Sequence, residues 1–171
     1  MPNYSGEQYV PAVDSSDNET VADVVGNKDD NYTNKSLSSR LHTLSEHAHS
    51  ESKVYPTLAN GVTVTSAAGA WTLGTLVEVV PASTIADYFD IHAVDIEAIS
   101  ANDVFELVFY QGAGDTEIGR IRFVKDAAQS ATLNTSIQTP LVPANARIRA
   151  AVACAAGGAK TVDVTIRYHT Y

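Results

Sequence analysis

Two histidines one residue apart, His47 and His49, sit near the end of the stretch LSSRLHTLSEHAHS. Alternate residues share one side of an extended segment but not of a helix. Were this segment extended and three copies brought together, six imidazoles would converge as an octahedral transition-metal site. The plainer expectation is a solvated helix end, where imidazolium complements the C-terminal dipole, and no metal is assigned. His42 follows Leu41 and belongs on the flank of the same helix, while His92 and His169 read as strand residues with hydrogen-bond partners of their own. Cys154 is the only cysteine, which excludes an internal disulfide and a cysteine zinc site. Within AVACAAGG it is expected to be a buried, inert thiol.

Asp90, Asp95, Glu97, Glu106 and Asp163 alternate with apolar residues. A paired-carboxylate glycosidase site is conceivable among them, but solvated strand faces account for the pattern. Arg120, Arg122 and Lys125 alternate in the same way and read as one solvated face. No nucleophile elbow, zinc-protease helix motif, P-loop or dinucleotide glycine motif is present. The expectation is therefore a protein that is not an enzyme and carries no cofactor.

What must position these residues follows from the bulk properties. The chain has 171 residues, 44% of them apolar and 18% charged, enough for one domain with a real core plus an appendage. A net charge of −9 argues against a nucleic-acid partner, since phosphate contacts need clustered Lys and Arg. The opening MPNYSGEQYVPAVDSSDN lacks the basic and apolar regions of a signal peptide, and no run approaches a membrane span. Either a reducing cytoplasm or release by a route other than a cleaved signal, such as cell lysis, is expected, with no membrane partner.

Residues 1–35 are rich in Asn, Asp, Ser and Thr, too polar to fold alone. Seven acidic residues (Glu7, Asp14, Asp17, Glu19, Asp23, Asp29 and Asp30) face only Lys28 and Lys35. An extended attachment arm is expected there, with Tyr4, Tyr9, Val10, Val21, Val24 and Val25 as its anchors. Residues 36–52 follow as a short helix that Ser36 can cap. Leu37, Leu41, Leu44 and Ala48 form a coiled-coil seam too short to be stable by itself, because isolated helices below about 12–15 residues are marginal in water. Packing three copies along this seam answers that shortness. The alternative is an amphipathic helix packed on its own β-domain.

The β-domain is expected over residues 56–171, and from Gly61 onward the hydrophobic period is two. Strands are predicted at VTVT (62–65), AWTL (70–73), TLVEVV (75–80), YFDIHAVDIEAI (88–99), VFELVFY (104–110), EIGRIRFV (117–124), ATLNTSI (131–137), RIRAAVA (147–153) and TVDVTIRYHTY (161–171). In the fourth, Phe89, Ile91 and Ala93 alternate before Val94, Ile96 and Ala98 take over, a slip that a β-bulge near Ala93 would produce. Short strands with Gly-rich punctuation and no intervening helices predict a mainly β fold. The specific expectation is a jelly-roll-like antiparallel β-sandwich, preceded by the short helix and the extended N-terminal arm; a Greek-key sandwich of another topology would show the same pattern.

Three stretches carry a family resemblance: VADVVGNKDDNYTNKSLSSRLHTLSEHAHSESKVYPTLANGVTVT, FDIHAVDIEAISANDVFELVFYQGAGDTEIGRIRF and TPLVPANARIRAAVACAAGGAKTVDVTIRYHTY. In cadence and order of parts the chain resembles structural proteins of tailed bacteriophages, in particular small head-decoration or head-fibre proteins. The resemblance implies a homotrimer on the virion surface, with a helical stem, a β-sandwich head, and an arm docked on the major capsid protein or another virion protein. The competing expectation is a receptor- or glycan-binding head of a tail fibre or spike. Glycan binders expose aromatic platforms, whereas Trp71, in AGAWTLGT, fits a core position equally well, so the structural role leads.

Overall fold

The computed structural model describes Leu41 and residues 51–128 and 132–171. The chain divides into two units after His49. In the first, Leu41 is helical and exposed. The arm anchors Tyr4, Tyr9, Val10, Val21, Val24 and Val25, the seam positions Leu37, Leu44 and Ala48, and the pair His47 and His49 lie outside the described residues.

The second unit is built from nine strands: β1 (Lys53–Tyr55), β2 (Val62–Thr65), β3 (Val77–Val80), β4 (Phe89–Ile99), β5 (Asp103–Gln111), β6 (Thr116–Lys125), β7 (Leu133–Ser136), β8 (Ile148–Cys154) and β9 (Thr161–Thr170). No helix occurs among its described residues. One sheet has the order β1-β9-β4-β7, with β2 also on β9; the other has the order β3-β8-β5-β6. Every pairing is antiparallel.

The pairs β5·β6, β4·β7, β3·β8 and β2·β9 are nested, as if one long ladder were closed at its tip by the β5–β6 hairpin. Rolling that ladder adds the pairs β4·β9 and β5·β8 and yields two sheets face to face. This is a jelly roll, an arrangement that manages sheet edges by doubling the sheet.

The core follows from the pleat, which sends successive side chains to opposite faces. In β9, Val162, Val164 and Ile166 are fully buried between the sheets, with half-buried Tyr168 packed beside them. From the other strands come Phe89, Ile91, Val94, Ile96, Phe105, Leu107, Phe109, Ile148 and Val152. Each large side chain removed from water contributes about 1.5–3 kcal/mol. Cys154 is buried in the same layer, its Sγ 3.3 Å from Ser66 Oγ.

The phase slip in β4 is real: register shifts between Ile91 and Ala93, so that His92 is the extra residue. A second shift lies between Ile96 and Ala98, and it corrects the expected inward position of Ala98. Ala98 pairs with Asp163 and is exposed, while Ile99 pairs with Val162 and packs on the core.

The strand predicted at residues 70–73 does not form. Trp71 has φ +52°, Thr72 N donates to Gly69 O, and the segment turns. Its amides still dock on the sheet, with Trp71 N donating to Cys154 O and Gly74 N to Val152 O. A left-handed residue breaks the two-residue alternation that the sequence pattern suggested.

At the β5–β6 tip, Asp115 adopts φ +51°. Arg149 pairs with its carboxylate, and Arg147 donates to the carbonyls of Gly112 (3.1 Å) and Ala113 (3.3 Å).

Candidate functional site

The outer face of the β1-β9-β4-β7 sheet carries the polar chemistry. Because both β4 bulges preserve outward positions, Asp90, His92, Asp95 and Glu97 share this face with Asp163, Thr165, Arg167 and His169 of β9. These side chains are more than solvated decoration. Asp95 accepts from Asn134 Nδ2 (2.7 Å) through one oxygen and from Arg167 Nε (2.7 Å) through the other. Glu97 accepts from Thr165 Oγ1 (2.5 Å) and from the amide of Gly61 (2.9 Å). Asp163 accepts from Thr63 Oγ1 at 2.6 Å. A shallow depression of about 530 Å³ is lined by Asp95, Glu97, Thr132, Asn134 and Arg167.

At the other end of this face, Asp90 lies directly opposite His169 in the β4–β9 register. Asp90 is buried. Its Oδ2 accepts from the Tyr171 hydroxyl at 3.2 Å, and its Oδ1 lies 3.6 Å from His169 Nδ1. The bulge holds His92 over His169, with ring centroids 4.0 Å apart and planes within 6° of parallel. Ser52 Oγ is 3.1 Å from His92 Nε2. Two imidazoles and a carboxylate thus gather ligand atoms within 4.8 Å of one another. Both histidines are strand residues, as expected, and the fold also stacks them on each other. The Asp-x-His spacing at 90 and 92 was legible as one face of a strand, but its partner in β9 was not.

Burial, the charge of Asp90 and the hydrogen bond to it push the Tyr171 phenol up to about 12. An ordinary tyrosine titrates near 10. A folded-state value raised above the unfolded one means that the stabilisation is complete below about pH 10 and is lost as pH rises through about 12. Comparing alkaline absorbance titrations of the wild type and Tyr171→Phe, the missing phenolate signal should fall at the late end of the curve. A missing signal centred near pH 10 would show that Asp90 does not hold the hydroxyl.

The outer face of the β3-β8-β5-β6 sheet is different. Glu106 receives Arg120 (2.9 Å) and Arg122 (2.6 Å), and Arg120 also pairs with Glu117 (2.7 Å). Arg120 and Arg122 are therefore paired with carboxylates, and Lys125 Nζ donates to the carbonyl of Asp126 (3.0 Å). The Arg122 guanidinium stands over the Trp71 ring, 4.7 Å from its centroid, a cation–π geometry. Trp71 is 47% exposed, which places it on the surface rather than in the core. Its exposure follows from the left-handed turn, a conformation the sequence pattern did not signal.

No family model matches the chain, and no curated protein matches it. Among solved structures it is similar to the C-terminal CBM6 of LamC, a marine laminarinase from Zobellia galactanivorans, at TM-score 0.40 and 10% identity, over 70% of this chain and 100% of that one. It is also similar to CsCBM6-3 from Clostridium stercorarium, solved in complex with cellobiose, at TM-score 0.35 and 13% identity, over 71% and 89% of the two chains. A third similarity is to a chain in the structure of infectious bursal disease virus, Gx strain, at TM-score 0.35 and 13% identity, over 71% of this chain and 33% of that one. Likenesses of this strength carry no functional argument, and the antiparallel β-sandwich rests on the strand pairings themselves.

Proposed function

We propose that the chain is a non-enzymatic structural protein of a tailed-phage virion, a capsid decoration or head-fibre protein. In this reading residues 1–35 attach it, the short helix that ends before residue 51 trimerises it, and the jelly roll is the displayed head. The observation that carries the reading is the use made of the acidic side chains. Asp95, Glu97, Glu106 and Asp163 are each engaged by a hydrogen-bond donor from another part of the chain. A catalytic carboxyl has to be available to substrate and to a transferring proton. These carboxylates instead brace neighbouring strands, which suits a stiff scaffold.

The test has two parts. Sedimentation of the full chain should give a trimer, and Leu41→Asp with Leu44→Asp should shift it toward monomer, since the seam would then bury charge. The purified chain should also bind tailed-phage capsids in preference to intact host cells, and removal of residues 1–35 should abolish that binding. A native monomer would sink the stem, and preference for cells would favour the other reading.

That other reading, a glycan-binding head, is favoured by one observation: the exposed Trp71 beneath Arg122 offers a ring on which a sugar could stack. It requires Trp71→Ala to abolish binding to a glycan array while leaving capsid attachment intact.

A further inference from the structure

The geometry points to a divalent transition-metal site formed by Asp90, His92 and His169 on the outer face of the β1-β9-β4-β7 sheet. The donor set selects the class of ion. Two imidazoles with one carboxylate suit zinc, cobalt or nickel, whereas calcium and magnesium prefer all-oxygen shells. The ligands stand on backbone that the fold holds in place: Asp90 and His169 are a cross-strand pair, and His92 is the extra residue of the bulge beside them.

Outer contacts orient the ligand side chains. The Tyr171 hydroxyl donates to Asp90 Oδ2, Ser52 Oγ lies 3.1 Å from His92 Nε2, and Asp90 Oδ1 stands 3.6 Å from His169 Nδ1. Asp90 Oδ1, His92 Nδ1 and His169 Nδ1 are shielded from solvent. Hydrogen bonds of this kind, from groups behind the ligands, set the tautomer and orientation of metal-binding imidazoles.

The site must tighten to bind. Metal–ligand bonds of about 2.0–2.2 Å place donors roughly 3.4 Å apart around a tetrahedral ion, against a present spread of up to 4.8 Å. The imidazole planes are stacked 4.0 Å apart and within 6° of parallel, so one ring has to turn out of the stack for both to meet one ion. An ion held there would tie the end of the C-terminal strand to β4 and stabilise the folded chain by mass action.

The experiment uses the full chain, stripped of metal and titrated with Co²⁺ alone by visible absorption and with Zn²⁺ alone by calorimetry and thermal melting. The expected result is one tight equivalent, a cobalt ligand-field band and a rise in Tm. His47 and His49 offer a rival imidazole pair, so His47→Ala with His49→Ala is the first control and should leave that equivalent in place. His92→Gln with His169→Gln should weaken binding by about 100-fold or more, since even outer-shell changes cost 10–100-fold, and should remove the metal-dependent rise in Tm. Should that double variant not fold, Asp90→Asn is read in its place, with a loss of at least about 10-fold. Binding that follows His47 and His49, binding unchanged in the site variants, or no binding tighter than about millimolar would each overturn the site.

Discussion

Gly74→Ala should destabilise the jelly roll by about 3 kcal/mol or more, the upper end of what overpacking costs. A Cβ built at this position meets the carbonyl oxygen of Thr65 at 1.8 Å, with the carbonyl carbons of Thr65 and Ser66 at 2.9 and 3.2 Å. All three are backbone atoms, so no side chain can swing aside to make room. The amide of Gly74 is meanwhile bound to Val152 O at 3.0 Å, which ties the segment to β8 on its other side. Relief therefore means pulling either the end of β2 or the docked turn away from the sheet. Gly114 is the control, because a Cβ there meets nothing within 4 Å. Gly114→Ala should stay within about 0.5 kcal/mol of wild type. Denaturant unfolding of both variants decides the matter: equal midpoints would mean that the chain does not pass this close to Thr65.

Phe105→Ala comes next, at about 3–5 kcal/mol, the usual range for removing a fully buried aromatic side chain. Phe105 is completely buried in β5, opposite Phe123 of β6 and Cys154 of β8. Its ring stacks on that of Phe123, with centroids 5.4 Å apart and planes 11° from parallel. Truncation removes the transfer energy of the ring and leaves a cavity between two sheets whose strands cannot collapse independently. Val124 provides the contrast, since it is the next residue after Phe123 but faces outward and is 52% exposed. Val124→Ala should change the unfolding free energy by no more than about 0.5 kcal/mol. If the two variants lose similar stability, the inner and outer faces of the β5–β6 pair have been exchanged.

Local alternation made most of this fold readable. Val162, Val164 and Ile166 against Asp163, Thr165 and Arg167 declare a strand with one buried face, whatever lies next to it. The same logic exposed the bulge near Ala93, because a slip in period is visible within a few residues. The second slip was hidden, since Ala98 is small and apolar and fits either face; only pairing with Asp163 places it outside. The turn at Trp71 was hidden for a different reason. Ala-Trp-Thr-Leu has the composition of a strand, and its left-handed residue is held by contacts to Cys154 and Val152 from far along the chain.

The site shows the division most sharply. Each residue of the Asp90, His92 and His169 group was legible as an outward-facing strand position. Their meeting depends on β9 closing against β4, and on a one-residue bulge that brings His92 over His169. Face and period are properties of a few consecutive residues, fixed by the geometry of the pleat, so the strands, their buried sides and the β-sandwich class were legible from the residues alone. Neighbour and register are choices among strands many residues apart, decided by how the whole core closes. The nested jelly-roll order, the exposure of Trp71 and the gathering of two imidazoles around one carboxylate therefore emerge only when the core closes.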